Sequence, residues 1–570
     1  MSKYFELFAT ASLLPRSPWL PLSLLAGAVA AGACSGPQHP VGGGDGNAGG
    51  RAGGPLCWGD TGCDRNDPRV VLSCQPNAAP EVAPVDAPEV APEVLEICAE
   101  DQICSLGRCV SEACAAAELA TGNAGCLFYT AVLDNLDSDD GKPTLIVVAN
   151  PGQTRTPVYL QQRTDGQTSP PSWEVVQTTW ISGGGASSFT VVDHPLEGPG
   201  YAAAIARRIA SDQPVTVMVI QSDNRDIRAS SSAGTMLVPV HALGGRYMVM
   251  VYPQSETASI AQLSGARGGA AEVAIVATQS HTTLRILPPG ALDGAVPDEQ
   301  ILEEDGDLFQ LVTDAEGNDL SGTLISASKP VAVFSGNVAT TYGKTANGIN
   351  TPDMAMEQMV PISEWSKSYV AARLPAESSA CDTLFAADTT LGPVSYWRIL
   401  ASQPAMLRFS WTGQLDGLPP DILPVPGGQP LRLVVSGQGD FVVHSDVPIL
   451  VTQGMDCEAT LSSAVPVDAP LGPQTFALAP NFEHEVSIVR KDDHRAPPVL
   501  LDGQDISDLF FPVADGFSVA RKEFPPCYES VDRCVHRLTG AHGMTLRGMD
   551  VTSSYATTPV SWLKCIDACP

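Results

Sequence analysis

A short phrase occurs three times in this chain: Ser211-Asp-Gln-Pro214-Val-Thr-Val, Ser328-Lys-Pro330-Val-Ala-Val and Ser445-Asp-Val-Pro448-Ile-Leu-Val. Its prolines stand 116 and 118 residues apart. A repeat of that period implies tandem units of domain size rather than one large core. Ser, Asp or Lys before proline suits the corner of a turn. Proline can open a strand where no ladder donor is needed, so the phrase reads as the last corner of each unit.

A second element follows each copy. Val238-Pro-Val-His-Ala-Leu-Gly-Gly-Arg-Tyr247 and Val360-Pro-Ile-Ser-Glu-Trp-Ser-Lys-Ser-Tyr369 place a tyrosine eight residues beyond proline. In Val465-Pro-Val-Asp-Ala-Pro-Leu-Gly-Pro-Gln-Thr-Phe476 a phenylalanine stands ten beyond. Before each copy lie two apolar runs separated by turn residues, read as strand, turn, strand: 144–150 with 157–160, 272–277 with 283–287, and 395–400 with 405–410. Each unit holds about six strand candidates and almost no 3.6-residue periodicity. The fold class is therefore all-β, with tandem antiparallel β-sandwich-like modules, and a β-propeller is the alternative. The expected modules are 127–238, 239–360, 361–465 and 466–570, the last ending without the phrase.

The first 126 residues are of other kinds. Lys3 and Arg16 precede an apolar run, Leu20 to Ala31, of the length of a signal sequence, so 1–33 reads as a signal peptide. Ala31-Gly32-Ala33-Cys34 resembles the lipobox of bacterial lipoproteins, which makes Cys34 the expected lipidation site, with simple secretion as the alternative. Of 15 cysteines, assigning Cys34 to lipid leaves an even number, as suits an oxidising compartment. Residues 34–55 read as a Gly-rich tether. Residues 56–126 carry Cys57, Cys63, Cys74, Cys98, Cys104, Cys109, Cys114 and Cys126 with few large apolar side chains, which implies a small domain held by disulfides. Zinc is disfavoured there, because the stretch lacks both histidine and a Cys-x-x-Cys pair. Its Ala-Pro-Glu-Val repeats, starting at Ala79, Ala87 and Ala91, read as an extended acidic spacer.

Beyond the modules' framework, chemistry-bearing motifs are scarce. The formal charge of −31 repels phosphate backbones and argues against nucleic acid. His484-Glu485 begins a zincin pattern, but Ile488 stands where the second histidine is required. Cys534-Val-His536 belongs with Cys527, Cys565 and Cys569 to an expected disulfide framework rather than to a nucleophile. Cys381 is expected to pair with Cys457, both at strand ends of one module. Asp134, Asp137, Asp139 and Asp140 concentrate oxygen ligands as calcium prefers. The twelve-residue register is missing, because Val148 stands eleven beyond Asp137, so a solvated acidic turn is the leading reading and no metal or other cofactor is assigned.

The run Cys126-Leu-Phe-Tyr, Asp134-Asn135, Val148-Ala-Asn-Pro151, Leu237-Val-Pro-Val-His-Ala-Leu-Gly-Gly-Arg-Tyr247, Phe334-Ser-Gly-Asn337 and Asp353-Met-Ala-Met-Glu-Gln-Met-Val-Pro361 resembles the IgGFc-binding protein N-terminal family. Phe476-Ala-Leu-Ala-Pro480, Val499-Leu-Leu-Asp-Gly-Gln504 and His536-Arg-Leu-Thr-Gly540 follow the order of its closing unit, so the likeness spans about 126 to 560. Ser230 to Thr235 depart from the Asn-Asp pair of that family. The resemblance implies a secreted or surface protein and names no ligand. The expected function is a lipid-anchored binding or adhesion protein of the cell envelope, at the outer membrane or cell surface. Its ligand would be a protein or glycan, taken by exposed aromatics among Trp173, Trp180, Trp365 and Trp411. A passive envelope scaffold is the second reading and a secreted hydrolase the third.

Overall fold

Each copy of the recurring phrase lies in the middle of the longest strand of its sheet: Arg207–Ser222, Leu324–Thr340 and Phe441–Met455. In this computed structural model the described residues run from 56 to 557, apart from internal segments of which 75–92, 255–268, 341–352 and 375–393 are the longest. The two halves of each long strand serve different neighbours. Residues 207–211 pair with Thr156–Thr164, whereas 216–221 pair with Lys142–Ala149. Likewise 324–327 pair with Thr282–Leu287 and 331–337 with Ala271–Ala277. In the third sheet 441–445 pair with Ala405–Trp411 and 449–455 with Val394–Ala401.

Between the halves the register slips, as a bulge requires. Gly125–Thr130 shifts against the first long strand between Ala210 and Val215. Gly244 pairs with Val331 while Arg246 pairs with Ser326, and Ser366 pairs with Ile449 while Ser368 pairs with His444. Pro214, Pro330 and Pro448 therefore sit at a mid-strand bulge, not at the corner that opens a strand. The chemistry is the same in both places, since a bulge also leaves proline no ladder bond to donate. A further consequence concerns the strand-turn-strand pairs, whose members do not hydrogen-bond to each other. Each pair crosses from one half of the long strand to the other and so folds one sheet into a half-barrel.

The sheets so formed hold seven, eight and nine antiparallel strands, not the four-stranded blades of a propeller. The fourth module lacks the phrase, and it lacks the shared long strand too. Its layers are separate sheets among the described residues. One is built on Gln474–Ala477 and Val535–Thr539, the other on Glu483–Lys491, Phe517–Phe524 and Gly543–Met549.

Packing closes the four modules into a cycle. One continuous core joins the first and second modules through Phe128, Val217, Ile275 and Phe334 and takes in Leu400 and Leu450 of the third. Val370 and Val442 of the third pack on Val489 and Val519 of the fourth. Met218 and Ile220 of the first meet Phe476 and Ile488 of the fourth, where Thr216 Oγ1 donates to Thr475 O at 3.3 Å.

The cysteine-rich segment folds differently. A small antiparallel sheet and the hairpin Gln102–Ser105 with Arg108–Ser111 are tied by Cys63–Cys104 and Cys98–Cys109. Cys74 is also disulfide-bonded. The hairpin turn needs Gly107, which has φ +71° and where a Cβ would fall 2.2 Å from Thr61 Oγ1. Ser111 caps the helix Glu112–Leu119 by accepting from Cys114 N, and its Oγ donates to Asp212 O at 2.7 Å. With Cys114–Cys126 this docks the small domain on the first copy of the phrase. Among the described residues no helix is long and apolar enough to cross a membrane.

Candidate functional site

The four tryptophans meet four different fates. Trp365 is 5% exposed, donates Nε1 to Val360 O at 3.3 Å and belongs to the shared core. Trp411 is half-buried at the end of Ala405–Trp411 and packs on the third module's core. Trp173 is half-buried and committed to an internal contact. Trp180 is 55% exposed, with the Arg155 guanidinium 4.8 Å above its ring.

Trp173 and Trp180 share one strand, Ser172–Ile181, at the outer edge of the first module's sheet. It pairs on one side with Thr156–Thr164, with a register shift between Val175 and Gln177. After a tight turn the chain returns as Ala186–Asp193, which pairs with Lys142–Ala149 in the other layer. The two strands are thus consecutive yet belong to opposite layers, joined near their turn by Thr179 Oγ1 and Ser187 Oγ at 2.9 Å. The half-barrel opens between them, and Val175, Val176, Trp180 and Val192 are all at least half exposed there. An exposed β-branched and aromatic edge strand is uncommon, because it offers unpaired backbone groups to other chains.

The Trp173 end of the strand holds a carboxylate cradle. Trp173 Nε1 and the Tyr129 hydroxyl donate to Asp305 Oδ2 at 2.7 and 3.0 Å. The Arg208 guanidinium lies 4.4 Å over the Trp173 ring and 3.5 Å from the same carboxylate. Arg163 Nη2 reaches Asp307 Oδ1 at 2.6 Å, and the Tyr201 hydroxyl donates to Asp307 Oδ2 at 2.7 Å. Burial raises the Tyr129 phenol well above its usual range and Tyr201 to about 12, with the neighbouring aspartates adding to both. Gly306, between the two acids, has φ +86°, and a Cβ there would lie 2.8 Å from the Trp173 ring. The acidic turn of the second module is thus held by the first, and this tryptophan is a fastener rather than a binding surface.

The other sequence candidates separate similarly. Asp134 is buried, accepts from Asn135 N at 2.9 Å and places its own N–H on Glu272 Oε2 at 2.9 Å, so it belongs to the junction of two modules. Asp137, Asp139 and Asp140 lie outside the described residues, as do Cys34, Cys381, Cys457, Cys565 and Cys569. Among the described residues no three His, Cys, Asp or Glu side chains are grouped to hold a metal. His484 stands on a strand, and its Nε2 accepts from Ala479 N at 3.2 Å. Burial, with the His536 charge second, lowers its pKa to about 3. His536 pairs with Asp502 at 2.7 Å and packs its ring 4.4 Å from Phe524. A disulfide joins Cys534 to Cys527.

Two framework devices escape a reading of the sequence. The hydroxyl of Tyr247 accepts from Gly244 N at 3.0 Å and donates to Val331 O at 2.8 Å, fastening the second repeated element to the bulge of the first. Tyr369 accepts from Ser366 N at 3.0 Å in the same way. An amide side chain on each long strand also holds the backbone that leaves the module's first strand. Gln221 clamps both groups of Leu133, Asn337 both groups of Tyr252, and Gln453 accepts from Leu374 N at 3.0 Å.

Comparison with known proteins falls on this framework. The sequence matches the IgGFc binding protein family over residues 233–548, more than half of the chain. The chain belongs to the IgGFc-binding protein family. The human IgGFc-binding protein is 25% identical over 172 residues, which are 30% of this chain and 3% of that protein. The family match opens at the strand Ser232–Met236 and closes within Gly543–Met549, so it covers the second and third modules whole. The open edge carrying Trp180 lies before it.

Proposed function

We propose that this chain is an exported, non-enzymatic binding protein of the cell envelope whose ligand is another protein. Membership of the IgGFc-binding family and a disulfide-held N-terminal domain, which needs an oxidising compartment, support that reading. The observation that carries it is the open mouth of the first module, where Trp180 and three valines face solvent beside a strand edge unpaired among the described residues. Lipid attachment at Cys34 and the tether 34–55 would display the modules 127–238, 239–360, 361–465 and 466–570 away from the membrane. A protein ligand is favoured over a glycan because three exposed valines surround the indole and Arg155 is the one charged group stacked on it, whereas sugar recognition calls for several polar groups converging on a ring. A passive scaffold remains the second reading, favoured by the consumption of Trp173, Trp365 and Trp411 in internal contacts.

The human relative's name makes immunoglobulin Fc the first ligand to try, beside matrix proteins and a glycan array. Residues 56–570 made under oxidising conditions should retain a protein ligand, and Trp180→Ala should weaken binding by at least tenfold, as befits an aromatic anchor. Equal binding by the variant would remove the mouth from the site, and silence on every ligand would favour the scaffold.

A further inference from the structure

The first two modules share a short ladder, Gly200–Ala202 with Leu308–Gln310, but a second seam between them is closed without one. Ser232–Met236 pairs on one edge with the first long strand, and Asp353–Gln358 pairs on one edge with the second. These two strands lie side by side, yet among the described residues no backbone pair joins them. Side chains replace the ladder. Met354 N donates to Ser231 Oγ at 2.6 Å, Ser232 N to Asp353 Oδ1 at 3.0 Å, Gln358 N to Thr235 Oγ1 at 2.9 Å, and Val238 N to Gln358 Oε1 at 2.8 Å.

Glu357 sits within this stitching and is 4% exposed. Its carboxyl lies against the Thr235 hydroxyl, which receives Gln358 N–H and also reaches Met236 O at 3.4 Å, while among the described residues its Oε2 has no partner. Directly across the ladder stands Ser335, whose hydroxyl is spent on Met250 O, and next to it Asn337 is spent on Tyr252. The charged groups nearby are acids. Asp353, on the same strand, is engaged by the Ser232 and Met354 amides. Glu272 stands in the register row of Gly336 and Met356, one residue off that of Glu357 and so on the opposite face. Thr235 is the facing group on the first module's strand, and no charged residue lies between Ser232 and Met236.

We propose that Glu357 is a proton-held lock on this seam: the first two modules are stitched together while its carboxyl is protonated, and the stitching opens when the proton leaves. A neutral carboxyl needs little solvation, whereas a carboxylate left with one hydroxyl donor in a buried seam must draw in water. Burial raises its pKa well above the usual glutamate value, so the direction follows. In the open seam the group ionises as in free chain, near pH ~4.3. Above that pH, opening releases one proton, and the open population rises by up to about tenfold per pH unit until the folded pKa is reached.

Hydrogen exchange at the amides of Ser232, Met354 and Gln358, corrected for intrinsic rate, reads the seam directly in the full chain. Between pH 6 and 9 the wild type should lose protection with rising pH, while Glu357→Gln, which cannot ionise, should hold it constant. An equal loss in Glu357→Gln would overturn the proposal. So would a wild-type seam whose corrected protection is flat across that range, whatever the variant does.

Discussion

The cysteine-rich domain and the ring of β-modules solve the same problem by opposite means. In the small domain the buried clusters are made largely of the cysteines themselves, with Val71, Val110 and Ala115 among the few apolar neighbours. Its outer strand Val94–Ile97 leaves every side chain exposed. In the modules, strands such as Ala271–Ala277 and Leu308–Val312 are buried at every position. The difference follows from surface-to-volume scaling: about 70 residues cannot enclose a sufficient core, so covalent links restrict the unfolded chain instead. Order in the small domain is bought mainly from redox chemistry and in the ring mainly from packing, with Cys527–Cys534 its one bridge among the described residues, so the two should fail under different insults.

Reduction is the largest test of that contrast. With Cys63–Cys104, Cys98–Cys109 and Cys114–Cys126 opened, each bridge removes about 2–5 kcal/mol from a domain with little else to hold it. Exchange protection at Cys98 N, which donates to Arg69 O at 2.8 Å, should vanish in reductant. Protection at Ile275 and Phe334 should persist. Loss at both sites together would mean that the ring depends on the small domain docked at Asp212 or on its own Cys527–Cys534 bridge, and Cys527→Ser with Cys534→Ser separates the two.

The sequence carries this contrast unevenly. Cysteine density announces the stapled domain, and alternating apolar runs announce an all-β remainder, because both are local properties. The recurring phrase announces the repeat but not its place. Ser-x-x-Pro is compatible with a turn corner and with a bulge alike, and only the partners of the two strand halves separate them. The fourth module is the useful exception, since the missing phrase coincides with the missing shared strand. The amide clamps left no signal, as Gln221 and Asn337 stand seven residues after proline and Gln453 five, with two residue types between them. Trp173 and Trp180 look alike in sequence, and what divides them is an acidic turn 132 residues away from the first.

A clamp variant attacks the ring where reduction does not. Asn337→Leu keeps the branched four-atom shape of the side chain but removes its bonds to the buried N–H and C=O of Tyr252, at about 1–3 kcal/mol for each group left unpaired. The melting temperature of the modules should fall by several degrees. The reductant sensitivity at Cys98 should stay as it was. Gln453→Leu, which frees the Leu374 N–H, should cost less. A variant ring that melts like the wild type would mean that water replaces the amide and that the clamp adds no stability.

The smallest effect is expected at the tyrosine that fastens the bulge. Tyr247→Phe removes one hydroxyl and leaves Gly244 N–H and Val331 O without it, for a loss of about 1–2 kcal/mol. Phe476 of the fourth module supplies the control, because it occupies the corresponding place in the second repeated element and is 2% exposed in an apolar cluster. Among the described residues its own module has no bulged long strand to be fastened, and the first module's long strand meets this cluster through the apolar side chains of Met218 and Ile220. Phe476→Tyr should therefore bring no gain and instead lose stability, since the added hydroxyl would be buried among Phe482, Phe524 and Leu538. A hydroxyl that stabilises at 247 and destabilises at 476 would tie the tyrosine to the bulge rather than to general packing. A fourth module stabilised by Phe476→Tyr would break that link.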